Sequence, residues 1–374
     1  MKLSDIENEL FNQGFSAATV DYYGKKLYKE QWGADREKYT DEERKWAYER
    51  GFTAEDVHCL GLNEDNYRDY LSSKDYHSLD PIDPFTKRLV DGKLVIPYTI
   101  GGRFKEYLPK YFCWIFDPDT IIPMNDNIVD SWNDVEDYLK KLIDTEKCLA
   151  IKPYTGGGGL GFVKMEKIDQ RYFCNGDEIL DFSSFVKEIS DKYLVTEYIH
   201  QCDEFNNVWA DSAATLRVIT ISKNNTQKSF VTYVRFGTAI SKGACNLASG
   251  GVAVPFDWET GEYRDGFYRY LDYCEDGRYI MENHPDSGVS LKGKSIPHFD
   301  KVKKLVDDIC GFLKVHTFFG FDIMITNDGV KICEINSHPS LDYEQLMFGG
   351  IWKQDPFVVD FFASLLEERK KKSF

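Results

Sequence analysis

The sequence lacks a long uninterrupted apolar run, a Cys-x-x-Cys pair and an excess of basic residues. Because a helix needs about 20 consecutive apolar residues to span a bilayer, we expect no integral membrane segment. The formal net charge is −16, and surplus acid repels phosphate backbones, so nucleic acid is not expected as a partner. The nine cysteines are scattered and odd in number, which argues against a disulfide scaffold or a structural zinc site.

The first residues, MKLSDIENEL, are polar and acidic, whereas a secretory signal begins with basic residues and continues with an apolar run. We therefore expect no secretory signal and a reducing, cytoplasmic location. In such a compartment Cys113, Cys148 and Cys333 are expected to be small residues packed in apolar surroundings.

Helix-start signals dominate the beginning of the chain. Ser4 with Glu7, and the runs that begin at Thr40 and Thr53, match a capping residue followed by acidic residues in the first turn. We interpret residues 1–85 as a helical N-terminal module.

Turn signals at residues 80–92 separate this module from a mixed region. A chain of 374 residues suggests about two or three domains, and alternating strand and helix patterns favour the α+β class. The predicted strands lie at 93–100, 111–116, 148–152, 162–167, 192–199, 214–222, 229–236 and 251–256, with a hairpin at 318–336. The predicted helices lie at 130–146, 183–189 and 299–314, with one more at the C-terminus. The proposed units are an N-terminal section (86–145), a small α+β subdomain (146–204) and a C-terminal subdomain (205–374).

Five glycines lie within residues 156–161, shortly after a strand that ends at Lys152. Glycine permits positive φ angles and lets backbone N–H groups approach a bound anion closely. The string matches G-x-G-x-x-G, but a strand pattern follows it instead of the helix of a dinucleotide fold, and the G-K-[ST] end of a P-loop is absent. No H-R-D or D-F-G sequence of a protein kinase occurs either. The remaining interpretation is a flap over phosphates between two strands, with a surface turn that binds no ligand as the alternative.

A second pattern predicts a β-hairpin that turns at residues 327–329. A three-residue loop would place Asp322 directly opposite Glu334, with Asn336 on the same face as Glu334. Facing carboxylates destabilise a sheet unless a cation lies between them, and such oxygen ligands suit Mg²⁺. A two-residue turn would instead shift the register by one and point Asp322 and Glu334 to opposite faces. Both registers remain open, and the presence of the glycine loop in the same chain favours the metal site.

The order of these elements resembles the ATP-grasp superfamily over roughly residues 93–350. A lysine precedes a glycine loop, a hydrophobic strand ends in glutamate, a further strand carries an arginine, and Asp is followed by Glu-x-Asn. Within the superfamily the sequence is similar to the sugar-transfer-associated, teichuronopeptide-biosynthesis-like branch. This likeness is carried by Leu108-Pro109-Lys110-Tyr111, Leu216-Arg217-Val218, Gly250-Gly251-Val252, Trp258-Glu259-Thr260-Gly261 and Glu334-Ile335-Asn336-Ser337-His338-Pro339. The resemblance implies an ATP-grasp fold, in which two α+β subdomains clasp ATP, joined here to the helical N-terminal module.

The resemblance also implies roles for individual residues. The implied nucleotide-binding residues are Lys110, Lys152, Gly157, Gly158, Gly159, Glu197, Tyr198, Ile199 and Glu204, with residues 197–199 beside adenine and Glu204 on the ribose. Lys93 is the alternative to Lys110 as the upstream phosphate lysine. The implied catalytic residues are Arg217, Lys152 and Arg235, and the implied metal ligands are Asp322, Glu334 and Asn336. His338 contacts the acceptor, acts as a base or is structural. Arg235 and Asn246 either lie near the acceptor or the phosphates, or form a surface salt bridge and a loop cap respectively.

Together these residues imply a ligase that uses ATP and Mg²⁺, with Mn²⁺ as the alternative metal, and forms an amide through an acyl phosphate. The expected partners are a small-molecule or saccharide carboxylate and an amine, in surface-polysaccharide or peptide modification. The alternatives are a small-molecule kinase on the same scaffold and a non-catalytic nucleotide-binding protein. No sequence pattern identifies the acceptor.

Overall fold

The computed structural model describes residues 2–124, 134–154, 161–189, 192–274 and 279–372, and it combines helices with two antiparallel sheets. The α-helices are α1 (Leu3–Asn12), α2 (Ala17–Trp32), α3 (Asp41–Glu49), α4 (Ala54–Leu60), α5 (Ser73–Ser78), α6 (Lys87–Val90), α7 (Ile96–Thr99), α8 (Gly101–Phe104), α9 (Val135–Glu146), α10 (Phe182–Glu188), α11 (Asp203–Val208), α12 (Phe299–Phe312), α13 (Glu344–Phe348) and α14 (Pro356–Lys372). The strands are β1 (Tyr111–Asp117), β2 (Thr120–Pro123), β3 (Cys148–Pro153), β4 (Val163–Ile168), β5 (Arg171–Cys174), β6 (Asp177–Glu178), β7 (Tyr193–Glu197), β8 (Thr215–Lys223), β9 (Thr226–Phe236), β10 (Val252–Pro255), β11 (Phe267–Arg269), β12 (Ile280–Met281), β13 (Phe318–Ile325) and β14 (Val330–Asn336). No helix in the described ranges is long and apolar enough to cross a membrane.

The N-terminal region is helical as predicted, and two of its helix starts are confirmed. Thr40 caps α3 and Thr53 caps α4, each accepting a hydrogen bond from the backbone N–H three residues later. The start predicted at Ser4 is wrong, because α1 already includes that residue. The carboxylate of Asp5 accepts a hydrogen bond from the Lys2 backbone N–H at 2.7 Å, so the helix is capped two residues earlier than its sequence pattern indicates.

The strand predicted at 93–100 is wrong, because this stretch leads into the short helices α7 and α8. Ile96, Ile100 and Phe104 are buried at intervals of four residues, which is the spacing of a helical face. The β-branched residues of this stretch favour a strand locally, but the packing of this face into the core decides the structure.

The first sheet has the strand order β2-β1-β7-β3-β4-β5-β6. Helices α9 and α10 pack on it, and their apolar side chains share one core with those of β1, β3 and β7. Strands β3 and β4 pair directly, with Ile151 opposite Val163, so the glycine run connects two neighbouring antiparallel strands as predicted. Residues 155–160, which contain most of this run, lie outside the described residues.

The second sheet has the order β12-β11-β10-β9-β8-β13-β14 and is covered on both faces. One face packs against α12 and against the buried side chains of α7 and α8. The other face packs against α14 and against Leu71, Tyr76 and Leu79 from the N-terminal region. The N-terminal region therefore contributes to the core around the second sheet.

A buried histidine joins the segment before α6 to the start of β13. The ring of His316 is 1% exposed, and its Nδ1 lies 2.8 Å from the hydroxyl of Thr86 and 3.4 Å from the carboxylate of Asp83. Burial lowers the pKa of His316 against the opposing attraction of Asp83. Because this pKa lies below the unfolded value of about 6.5, the stability that the neutral ring contributes is present above that pH and is lost as the pH falls.

We predict that His316→Gln weakens the acid dependence of unfolding. Below about pH 6.5 the ring should lower the wild-type free energy of unfolding by at most about 1.4 kcal/mol per pH unit, and the variant should lose this contribution. Urea titrations at several pH values measure it. His58 is exposed, so His58→Gln serves as the control and should retain the wild-type slope. The same slope in His316→Gln and wild type would contradict the assignment.

Candidate functional site

Four polar side chains form one row across the second sheet. The row consists of Glu334, Asp322, Arg217 and Tyr233, which are directly paired on the successive strands β14, β13, β8 and β9. Directly paired residues of antiparallel strands point to the same face, so these side chains are neighbours. The row places two acids beside a base at one level of the sheet.

The predicted pairing of Asp322 with Glu334 is confirmed, but the three-residue loop predicted to produce it is wrong. The hairpin turns through a two-residue loop, closed by backbone hydrogen bonds between Thr326 and Gly329. That turn alone would point Asp322 and Glu334 to opposite faces. A bulge inserts Cys333 into β14 and restores the register, because an extra residue on one strand reverses the alternation beyond it.

Two arginines hold the carboxylate of Asp322. Arg217 donates from Nε to Oδ1 at 2.6 Å and from a terminal nitrogen to Oδ2 at 3.1 Å, and Arg235 lies 2.9 Å from Oδ1. Burial alone would raise the pKa of Asp322, but Arg217 and Arg235 outweigh it and hold the pKa below its usual range. Asp322 is therefore an ionised, firmly oriented acid, and Arg217 is fixed by a bidentate contact.

The carboxylate of Glu334 faces one lysine directly and interacts electrostatically with a second. The Nζ of Lys93 lies 3.7 Å from Glu334 Oε1. Burial raises the pKa of Glu334, which Lys93 opposes and the neighbouring Asp322 reinforces. Burial lowers the pKa of Lys152 on β3, and Cys333, Lys93 and Glu334 all act on its charge. The lysine before the glycine run therefore lies within electrostatic range of the acidic hairpin.

The oxygen atoms of this site can accept a divalent cation. A carboxylate offers about four acceptor positions, and the arginines take three of those on Asp322, which leaves one on Oδ2. No hydrogen bond joins the side chain of Glu334 or Asn336 to another described residue, and carboxylate and amide oxygens suit Mg²⁺. The described residues contain no group of three or more His, Cys, Asp or Glu that could hold a metal. A cation here would therefore depend on Asn336 and on oxygens of the nucleotide as well.

The segment predicted to meet adenine lies at the end of β7. Both backbone polar groups of Glu197 have partners: its N–H donates to the Lys110 carbonyl at 2.8 Å, and its carbonyl accepts from the Thr196 hydroxyl at 3.2 Å. Tyr198 and Ile199 follow, and their backbone groups form no hydrogen bond with other described residues. These two residues are therefore the better candidates for contacts with a base edge.

Of the remaining residues predicted to contact the nucleotide, the structure describes Glu204 but not the three glycines. Glu204 is exposed in the first turn of α11. Gly157, Gly158 and Gly159 lie outside the described residues. The loop returns at Gly161, where φ is +73° and a Cβ would lie 2.9 Å from Pro153, so glycine is required at this position.

The structure separates the two candidates for the upstream phosphate lysine. The ammonium of Lys93 is directed at Glu334, and its side chain is 14% exposed. The ammonium of Lys110 pairs with Glu146 at 3.1 Å, and its side chain is 63% exposed. The geometry favours Lys93, whereas Lys110 contributes to this site through the backbone bonds that it exchanges with Glu197.

We predict that Lys93→Met weakens nucleotide binding by about 10-fold or more, because a charge-assisted hydrogen bond contributes about 1.5–3 kcal/mol. Lys110→Met makes the same chemical change at an exposed position and should alter binding less than about 3-fold. Calorimetric titration with a non-hydrolysable ATP analogue and Mg²⁺ measures both. The reverse ranking would assign the phosphate contact to Lys110.

Sequence reasoning missed Glu344, which lies behind the row. Its side chain is 3% exposed; it accepts hydrogen bonds from the Tyr233 hydroxyl at 2.7 Å and from the Ser340 hydroxyl at 3.2 Å. Burial raises the pKa of Glu344, against the opposing charge of Arg217. The only available signal was that two acids, Asp342 and Glu344, lie among the apolar residues of the stretch 341–348.

Two residues left open by the sequence have structural partners. The ring of His338 stacks on Tyr76 with the centroids 4.3 Å apart, and burial lowers the pKa of His338 to about 3. Asn246 accepts a hydrogen bond from the Ala248 N–H at 3.1 Å and caps a short turn. Both contacts favour the structural interpretation over a contact with the acceptor.

A sequence profile of sugar-transfer associated ATP-grasp proteins matches residues 65–353 of the chain. D-alanyl-alanine synthetase A from Vibrio cholerae is a similar solved structure, with 10% identity, 75% of this chain and 65% of that chain covered, and a TM-score of 0.41. PurK, N5-carboxyaminoimidazole ribonucleotide synthetase, has 10% identity, 74% and 54% coverage, and a TM-score of 0.38. The ATP-grasp ligase PsnB, complexed with minimal precursor, Mg and ADP, has 13% identity, 79% and 62% coverage, and a TM-score of 0.35. The chain thus spans less than two thirds of each of these three proteins. No curated protein matches the chain significantly.

Proposed function

Because this chain belongs to the sugar-transfer associated ATP-grasp family, we propose that it is an ATP-dependent ligase that joins a carboxylate to an amine. Its fold is accordingly an ATP-grasp fold with a helical N-terminal region. One observation carries the proposal: the charge of Lys152 on the first sheet interacts with Glu334 on the second sheet, where Glu334 is paired with Asp322 and Asp322 with Arg217. Facing cationic and anionic groups suit a triphosphate that carries a divalent metal ion.

In the proposed reaction, an oxygen of the acceptor carboxylate attacks the γ-phosphorus of ATP. The bond from that phosphorus to the bridging oxygen breaks, which gives an acyl phosphate and ADP. The amine then attacks the acyl carbon, inorganic phosphate leaves, and the proton of the amine passes to solvent. Phosphoryl transfer needs positioning and charge stabilisation more than a protein nucleophile, so the proposed reaction requires no nucleophilic Ser, Cys or His.

The side chains of the site divide this work. Arg217 and Lys152 stabilise charge on the transferring phosphoryl group, and Asp322 fixes the orientation of Arg217 and Arg235. Mg²⁺, when bound, neutralises charge on the phosphate oxygens. Glu334, Asn336 and the remaining acceptor position of Asp322 would hold it, and Mn²⁺ would accept the same oxygen ligands.

The proposal places adenine at Tyr198 and Ile199, with Glu197 beside them, and the ribose at Glu204. The glycines at 157–159 would cover the phosphates. The acceptor is proposed to be a small-molecule or saccharide carboxylate, in keeping with the sugar-transfer association of the family. Modification of a surface polysaccharide or of a peptide would supply such an acid and an amine.

The test is ADP release across a panel of sugar acids, amino acids and peptides, each with and without amines. A ligase releases ADP and phosphate in equal amounts only when an acid and an amine are both present, and the amide is identified by mass spectrometry. A stable phosphorylated product formed without an amine would assign a small-molecule kinase instead. MgATP binding without ADP release would indicate a non-catalytic protein, and failure to bind MgATP would reject all three functions.

A further inference from the structure

A short turn outside the two sheets contacts the chain on both sides of Asn336, the last residue of β14. Asp91, which directly follows α6, accepts two hydrogen bonds from Ser337, from the backbone N–H at 2.7 Å and from the hydroxyl at 2.7 Å. Two residues later, Lys93 reaches Glu334. The intervening Gly92 has φ of +101°, a left-handed conformation that other residues rarely adopt. The turn therefore holds the residue after Asn336 and the residue two before it.

The chain beyond Asn336 is anchored from outside the sheet as well. The hydroxyl of Tyr76, on α5, donates a hydrogen bond to the carbonyl of Pro339. Pro339 packs so closely on Gly320 that a Cβ at Gly320 would lie 2.5 Å from it. Strand β14 ends at Asn336, so the ladder of backbone hydrogen bonds between strands stops there. The contacts of Tyr76 and Pro339, together with those of Asp91, orient the residues that follow. Asn336 itself has no side-chain hydrogen bond to other described residues.

We propose that Asp91 is a positioning residue for metal binding, which fixes Asn336 through Ser337. This inference depends on the proposed function, because it requires that a divalent cation binds at Glu334 and Asn336. Groups that orient metal ligands from behind typically change metal affinity by about 10–100-fold when they are removed.

The chain supplies a matched control for the structural part of this contact. Asp83 also accepts a backbone and a hydroxyl hydrogen bond from one residue, Thr317. Thr317 lies just before β13, at the end of the strand away from the row, five residues before Asp322. Asp83→Ala therefore removes an equivalent pair of hydrogen bonds without touching β14, and it should lower stability about as much as Asp91→Ala.

The experiment measures binding of AMPPNP by calorimetry over a range of Mg²⁺ concentrations in the full-length protein. Asp91→Ala should raise the Mg²⁺ concentration for half-maximal binding by about 10-fold or more, with nucleotide affinity at saturating Mg²⁺ nearly unchanged. Asp83→Ala should retain the wild-type Mg²⁺ requirement. Ser337→Ala loses only the hydroxyl bond and should shift the requirement by about 3-fold, and it replaces Asp91→Ala if that variant does not fold.

An unchanged Mg²⁺ requirement in Asp91→Ala, or in Ser337→Ala as its replacement, would overturn the positioning role while leaving the proposed function intact. An equal shift in Asp83→Ala would also overturn it, because general destabilisation would then explain the effect. If wild-type protein bound no AMPPNP at any Mg²⁺ concentration, the proposed function itself would be wrong.

Discussion

Replacing Glu334 by Gln should lower ATP-dependent turnover by at least about 100-fold, because it removes an ionic ligand from the proposed metal site. A divalent cation supplies several kcal/mol of charge stabilisation in such reactions, and about 2.7 kcal/mol corresponds to a factor of about 100. An amide oxygen is a weaker ligand than a carboxylate, so raising the Mg²⁺ concentration should recover part of the loss. Turnover is measured against Mg²⁺ concentration at saturating ATP.

Loss of stability should not explain this result. Burial raises the pKa of Glu334, with Lys93 opposing and Asp322 adding to the shift. Since the folded-state pKa is raised, the carboxylate contributes less to stability as the pH rises above its unfolded pKa, and neutral Gln avoids that loss. Glu259→Gln makes the same change at a side chain that is 80% exposed, and it should retain wild-type turnover. Full turnover of Glu334→Gln at low Mg²⁺ would remove Glu334 from the metal site.

Replacing Arg217 by Met should both destabilise the protein and abolish turnover. The variant leaves Asp322 buried without its bidentate partner, and breaking such a pair costs about 3–5 kcal/mol. Because Arg235 remains 2.9 Å from Asp322, we expect the lower end of that range. The loss of the proposed phosphate contact should reduce turnover by at least about 100-fold, which corresponds to about 2.7 kcal/mol. Urea unfolding and ADP release measure the two effects separately.

A double variant separates the structural role of Arg217 from its proposed catalytic role. Arg217→Met combined with Asp322→Asn removes the uncompensated charge, so it should recover much of the stability without recovering turnover. Arg103 is exposed, and Arg103→Met should change the free energy of unfolding by less than about 0.5 kcal/mol. Wild-type stability of the single variant would show that the buried pair contributes little. Substantial turnover of the double variant would exclude Arg217 from catalysis.

Features that depend on neighbouring residues could be predicted from the sequence. The caps at Thr40 and Thr53 were predicted because a capping box involves residues only three positions apart. The strands on either side of the glycine run, and the hairpin that carries Asp322 and Glu334, follow from alternation and turn residues in the same way. The family could be identified because these local motifs occur in a characteristic order, and the matching profile confirms it.

The hairpin also shows where local reasoning fails. Turn residues alone predict the wrong loop, and the correct pairing of Asp322 with Glu334 depends on the bulge at Cys333. A bulge forms when packing of side chains on both faces outweighs the broken ladder, and no single pattern in the sequence encodes that balance. Residues 93–100 differ from the prediction for the same reason, since burial of Ile96 and Ile100 overrides their strand preference.

By itself the sequence determined the chemical character of this protein: an acidic hairpin, a lysine before a glycine run, and a family whose members bind nucleotide. Only the tertiary structure decided which residues act together. Asp91 and Ser337 are 246 positions apart, and Arg217 and Asp322 are 105 positions apart. Contacts over such separations depend on how the two sheets and the N-terminal helices pack. The preference for Lys93 over Lys110 as the proposed phosphate lysine, and the contact of Asp91 with Ser337, could therefore be recognised only from the folded chain.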